Sequence, residues 1–100
     1  MQNQRPIQTL LDIDSFDEVL LFVNGTGLEG VVTSVEKDDN RLSLFINEKR
    51  GSAEYRVVSE WSSERGWLTP LVSVKKSPRN SQEFEPLGKV QEIQLASSIP

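Results

Sequence analysis

The sequence predicts a mainly β fold: a small antiparallel barrel of five to six strands with at most a short N-terminal helix. Three observations carry this. Apolar residues recur with period two in several short segments, as at Leu42, Leu44 and Ile46 or at Tyr55, Val57 and Trp61. Turn-forming clusters such as Asn24-Gly25 and Asp38-Asp39-Asn40 punctuate those segments at short intervals. Five or six such runs fit in about 80 residues, a spacing that suits an antiparallel barrel or a tight sandwich. A barrel also protects sheet edges that a small open sheet would have to defend by other means.

Residues 1–6 read as a loose tail, 7–96 as one domain and 97–100 as a second tail. Pro6 can open a short helix over Ile7–Leu11, because proline is tolerated in a first helical turn. Glu18–Val23 is an apolar run stopped by Asn24-Gly25, the strongest short hairpin signal. Leu28–Lys37 is rich in β-branched residues and ends in the Asp38–Asn40 turn. Arg41–Asn47 and Glu54–Trp61 alternate, separated by the charged, glycine-containing stretch 48–53. Ser62–Gly66 reads as a hairpin loop. Trp67–Lys75 resumes as a strand in which Pro70 favours a sheet edge or a bulge. Lys76–Glu83 is a polar loop, and Gly88–Leu95 supplies the last strand.

The chain has 100 residues, a length that fits one domain. It contains neither cysteine nor histidine. The first absence removes disulfides, thiolate metal sites and thiol nucleophiles. The second removes imidazole ligands and Ser–His or Cys–His catalysis. The expectation is a protein that is not an enzyme and carries no cofactor and no metal. The polar start lacks the apolar core of a signal peptide, and no window has the roughly 20 apolar residues of a membrane span, so a cytoplasmic location away from membranes is expected.

A net charge of −4 hides a gradient. Residues 1–40 hold eight acids against Arg5 and Lys37, a net of −6, while residues 41–100 hold nine bases and seven acids, a net of +2. The surface is polarised if the fold keeps these halves apart, and evened out if their strands interleave.

Several motifs admit a functional and a plain structural reading. Gly25-Thr-Gly27-Leu-Glu-Gly30 matches the glycine spacing of a dinucleotide loop, but that motif needs a helix after it. Here the β-favouring run Val31–Val35 follows, so turn and strand glycines are expected. Asp12, Asp14, Asp17 and Glu18 offer carboxylates without a complete calcium-loop pattern, which points to a solvated turn. Trp61 and Trp67 flank a loop with Arg65 near its tip. Such a set can stack unpaired bases or anchor a protein interface, or the indoles can close one end of a small core. Lys49-Arg50, Lys75-Lys76 and Arg79 can contact phosphates or stay solvated.

From Val19 to Asn40 the chain resembles the first motif of Sm-like proteins. The counterparts are Val19–Val23, Gly25, Gly30, Val32, Val35, Glu36 and Asn40, and Arg65-Gly66 is similar to the basic-glycine pair of the second motif. Glu36 stands where aspartate is commoner, and Arg41 where the family has an apolar residue. The resemblance implies a small Sm-like or SH3-like barrel. It further implies a ring-forming homo-oligomer whose asparagine and basic-glycine loop bind bases of single-stranded RNA.

The expected function is therefore a non-enzymatic binding module with single-stranded RNA or DNA as partner, and Asn40, Arg65 and Trp67 as ligand-binding residues. The alternative is a protein-interaction or homo-oligomer adaptor that uses strand edges or the Trp61/Trp67 end.

Overall fold

The computed structural model describes residues 10–75 and 83–95. It contains seven strands: β1 (Glu18–Val23), β2 (Thr26–Lys37), β3 (Arg41–Glu48), β4 (Glu54–Ser62), β5 (Gly66–Trp67), β6 (Leu71–Lys75) and β7 (Glu85–Leu95). Six of them close an antiparallel barrel in the circular order β1-β2-β3-β4-β6-β7, with β5 as an added strand on the end of β4. Each barrel strand pairs with its nearest neighbours along the chain, and β7 returns to pair with β1 through Val19↔Leu95 to Val23↔Val90.

The expected barrel is thus present, with sharper boundaries. The segment 67–75, read above as one strand, divides into β5 and β6 around Leu68, Thr69 and the buried Pro70. Proline donates no backbone hydrogen bond, so the ladder cannot run through it. Its carbonyl is used nonetheless, accepting the Val90 N–H at 2.9 Å. Of the predicted N-terminal helix, Leu10 and Leu11 are helical and residues 7–9 lie outside the described residues. Both expected tails, and residues 76–82 of the expected loop, also lie outside them.

Two long strands each serve two partners. β2 pairs with β1 through Thr26–Val31 and with β3 through Gly30–Lys37. β7 pairs with β6 through Glu85–Lys89 and with β1 through Val90–Leu95. A strand that changes partner must bend, and β-bulges supply the bend. The register shifts leave Thr33 unpaired in β2, and Leu87 and Gln91 unpaired in β7. Each of the three makes a hydrogen bond instead. Thr33 Oγ1 donates to the Phe45 carbonyl at 3.1 Å, Leu87 O accepts from Asn24 Nδ2 at 2.9 Å, and Gln91 Oε1 accepts from Gly25 N–H at 3.0 Å.

Those last two bonds tie the β1–β2 hairpin turn to β7. Asn24 and Gly25 carry φ of 53° and 78°, the two positive angles that a type I′ turn requires. The remaining glycines of the Gly25–Gly30 motif lie in β2, and a strand follows rather than a helix. Gly30 has a packing reason. A Cβ there would lie 2.6 Å from the Asn47 carbonyl oxygen and would also meet the Ile46 side chain, because β3 approaches closely where β2 bends.

Leu21, Val32, Leu44, Ile46, Val57 and Val72 are fully buried inside the ring. Leu10 and Ile13 join the same cluster from the segment before β1. Each such side chain contributes roughly 1.5–3 kcal/mol by leaving water. Phe16, with φ 74°, turns that segment into β1 while its N–H donates to Val32 O at 2.7 Å.

The interior contains one polar contact with a titration consequence. Tyr55 is buried, and its hydroxyl donates to Glu48 Oε2 at 3.0 Å. Burial first, then this hydrogen bond and the carboxylate charge, push the Tyr55 pKa up to about 12.

Two predictions follow from this packing. Gly30→Ala should lower stability by roughly 1–3 kcal/mol in urea unfolding, because the added methyl meets backbone as well as a side chain. The native state holds the Tyr55 proton more tightly than the unfolded chain. Stability should therefore be retained below pH about 10 and fall as pH rises toward 12. Tyr55→Phe should remove that part of the alkaline loss, as read from urea midpoints across the range.

Candidate functional site

The structure brings the sequence-predicted residues to one end of the barrel. The β2–β3 turn is built on Asp38, whose Oδ1 accepts the N–H groups of Asn40 and Arg41, both at 2.8 Å. This aspartate-anchored turn presents Asn40 to β4, where the Asn40 carbonyl accepts the Trp61 N–H at 2.8 Å. Trp61 in turn pairs with Trp67 across the β4–β5 hairpin. The two indoles meet edge to face, with centroids 5.7 Å apart and planes at 73°. Arg65 lies in the hairpin loop, exposed, and its N–H reaches Ser62 Oγ at 3.4 Å. Asn40 and Arg65-Gly66 thus flank a single pair of tryptophans.

The tryptophans divide the two readings between them. Trp67 is half-buried and packs against the core cluster, closing part of the barrel end. Trp61 is 46% exposed and lies over Gly66. Of the two, Trp61 therefore offers the freer ring, and Trp67 acts as its support. The hairpin base is held by Ser59, a buried residue whose hydroxyl donates to the Leu68 carbonyl at 2.6 Å. Leu68 N–H closes the same base by donating to Glu60 O at 2.8 Å. Leu68 and Leu71 are exposed beyond it.

A groove of about 370 Å³ opens beside the same turn, on the outer wall of β2, β3 and β4. Glu36, Lys37, Asp38, Arg41, Ser43, Phe45 and Arg56 line it. Its origin is local. Ser43 is a small side chain between Arg41 and Phe45 along β3, and the register sets Glu36 and Val58 on either side of it. Arg56 pairs with Phe45 across the β3–β4 ladder and lies over the Phe84 ring, 5.0 Å from its centroid. Lys75 Nζ approaches the same ring at 5.1 Å, and Phe45 meets Phe84 edge to face at 6.4 Å.

Most of this groove is absent from the sequence reading. Alternation in β3 and β4 puts Arg41, Phe45 and Arg56 on outward positions, but only the register brings them together. Among the described residues, none of the basic clusters singled out earlier lines this groove. Lys49 pairs with Glu18 at 3.1 Å, Lys75 with Glu54 at 3.8 Å, and Lys76 and Arg79 lie outside the described residues. Asp17, from the acidic run, accepts the Asp14 N–H at 2.9 Å and closes a turn. Among the described residues, no group of three or more acidic side chains is placed to hold a metal ion, and no helix is long and apolar enough to cross a membrane.

Set against protein-family models, curated proteins and solved structures, the chain matches none.

The different exposure of the two indoles can be read by fluorescence. Trp67→Phe, which leaves Trp61, should emit at longer wavelength and be quenched efficiently by acrylamide. Trp61→Phe, which leaves Trp67, should emit further to the blue and resist the quencher.

Proposed function

We propose that the protein is a non-enzymatic β-barrel binding module that holds single-stranded nucleic acid at its Trp61/Trp67 end. The observation that carries this reading is the exposed Trp61 ring, braced by Trp67 and flanked by Asn40 and Arg65. An aromatic face held rigidly at a surface stacks an unpaired base, and every base has a π-face to offer. Arg65 adds a guanidinium for a phosphate or a second stack. Arg41, next along the chain from Asn40, extends positive charge from the platform into the groove.

The Sm-like resemblance supports the same choice, since its asparagine and basic-glycine positions fall at this end. Lack of histidine and cysteine supports the non-enzymatic part. So does the placing of Tyr55, which is locked inside the core against Glu48 rather than facing a cleft. A cytoplasmic location remains part of the proposal.

A second reading, a protein or homo-oligomer adaptor, draws on the exposed Trp61, Leu68 and Leu71. Large apolar residues near one another mark interfaces as readily as stacking sites. Strand-edge assembly has short edges to work with: every barrel strand has two neighbours, but Val32–Lys37 of β2 pair with β3 only and Val90–Leu95 of β7 with β1 only, while β5 is two residues long.

Titration of the full chain with short oligothymidylate or oligouridylate should quench tryptophan emission. Affinity should fall as salt rises from about 50 to 200 mM, in proportion to the phosphates neutralised. Trp61→Ala should weaken binding by about 1–3 kcal/mol, roughly 5- to 150-fold. Absence of quenching at low salt would remove the nucleic-acid reading. Concentration-dependent light scattering, lost in Trp61→Ala, would then favour the adaptor.

A further inference from the structure

The groove beside the β2–β3 turn carries a charge imbalance that its own residues do not resolve. Two cations, Arg56 and Lys75, lie over one phenylalanine ring. Lys75 has Glu54 as its counter-ion at 3.8 Å. Among the described residues Arg56 has none, and its Nε is buried without a hydrogen-bond partner. Lys37 and Arg41 line the same groove, also without an ion pair among the described residues. Arg56 is half-buried, and with an orphaned Nε and no counter-ion among the described residues its guanidinium has donors to offer an acceptor.

We infer that this groove binds a phosphoryl group, with Arg41 and Arg56 as its donors and Lys37 as supporting charge. The cation–π contact of Arg56 with Phe84, 5.0 Å from the ring centroid, engages its charge without an acceptor oxygen, so its N–H donors still have one to find. Two guanidiniums and an ammonium around a small serine suit an anion with several oxygens better than one with two. The volume of about 370 Å³ leaves room for a substituent beyond the phosphate.

The two carboxylates at the groove take different parts. Asp38 Oδ1 accepts two backbone N–H groups and is committed to the turn. Glu36 has no hydrogen-bond or ion-pair partner among the described residues and faces the incoming anion as a like charge. It therefore limits affinity, and its neutralisation strengthens binding. The inference is independent of base stacking at Trp61, although the two sites are joined through Asn40 and Arg41. A phosphodiester backbone and a free phosphorylated compound share the chemistry and differ in source.

Pyrophosphate is the probe, added to the full chain and followed by calorimetry and by amide shifts of residues 36–45 and 56. Arg41→Gln, at an exposed residue, should weaken binding about tenfold or more, as loss of a charge-assisted hydrogen bond does. Arg56→Met keeps an unbranched side chain over Phe84 and should weaken it similarly. Glu36→Gln should tighten it by about two- to fivefold. Lys89→Gln, on the exposed part of β7, should leave it unchanged. No pyrophosphate binding by the unaltered chain overturns the inference. So does binding that Arg41→Gln leaves intact, or that Lys89→Gln weakens as much. Competition by oligothymidylate identifies a polynucleotide backbone as the source. Pyrophosphate binding without competition supports the groove and identifies a free phosphorylated compound. Oligonucleotide binding that depends on Trp61 but not on Arg41 or Arg56, with no pyrophosphate binding, sinks the groove and leaves the stacking platform standing.

Discussion

Closing a ring of six strands in so short a chain forces two strands to serve two neighbours each. β2 must leave β1 for β3, and β7 must leave β6 for β1. Both changes of partner require a bend, and a bend leaves one residue outside the ladder. An extra residue in a closed wall would strand a polar group, which costs roughly 1–3 kcal/mol when buried. Here Leu87 O takes a partner in the β1–β2 turn, while Thr33 and Gln91 lie exposed, where water reaches the backbone, and their side chains bond a neighbouring strand or turn. Gly30 adds the clearance that lets β3 follow the bend. The bulges, the β1–β2 turn and the glycine therefore act as one device. Without it β7 could not reach β1, and the apolar interior would open to water.

Closure also decides where binding can occur. Leu21, Leu44 and Val57 fill the ring, so it is a packed core and not a ligand cavity. Each of the six barrel strands has two neighbours, which confines the edge without a strand partner to half-strand lengths such as Val32–Lys37 and Val90–Leu95. What remains is the outer wall and the ends. At one end β4 outruns β6, and its surplus residues pair with β5 to set Trp67 against the barrel end and Trp61 outside it. On the wall beside it, a serine between larger side chains opens the groove. Both features meet at the Asp38-anchored turn, which sets Asn40 against Trp61 and Arg41 over the groove.

The barrel was legible in the sequence because period-two patterning and turn chemistry are local signals. The alternation at Leu42, Leu44 and Ile46 and the Asn24-Gly25 turn needed no knowledge of partners. The bulges were not legible. Val32 and Val90 are followed by their next inward neighbours, Val35 and Ile93, three residues on, and that spacing breaks the period without declaring a new one. The division at Pro70 was half visible, as a disturbance of a strand whose other side was unknown. Of the site, Asn40, Arg65 and Trp67 could be named because motif and loop signals lie along the chain. Arg41, Ser43, Phe45 and Arg56 could not, since only the β3–β4 register brings them together. Trp61 and Trp67 have the same chemistry in sequence. Only the position of the core separates the braced ring from the exposed one.

An acidic chain that offers an anion site depends on the charges near that site rather than on its total. In a meander the strands follow the chain around the circumference, so residues 1–40, with a net of −6, supply the adjacent β1 and β2. The remaining four strands carry four bases (Arg41, Arg56, Lys75, Lys89) against five acids (Glu48, Glu54, Glu60, Glu85, Glu92), so the strands do not themselves polarise the barrel. The groove lies at the β2–β3 seam, where Glu36 of β2 shares it with Arg41 of β3 and Arg56 of β4. At physiological salt the Debye length is about 8 Å, so exposed charges across the molecule are largely screened. The shortest axis of the molecule is 25 Å. Acids on the far arc therefore count for little at the groove, while Glu36 and Asp38 count fully. Asp38 is held by two backbone donors, which leaves Glu36 as the residue that sets how readily an anion is admitted. The net charge of the chain thus says less about its partner than this one carboxylate beside two arginines that have no ion pair among the described residues.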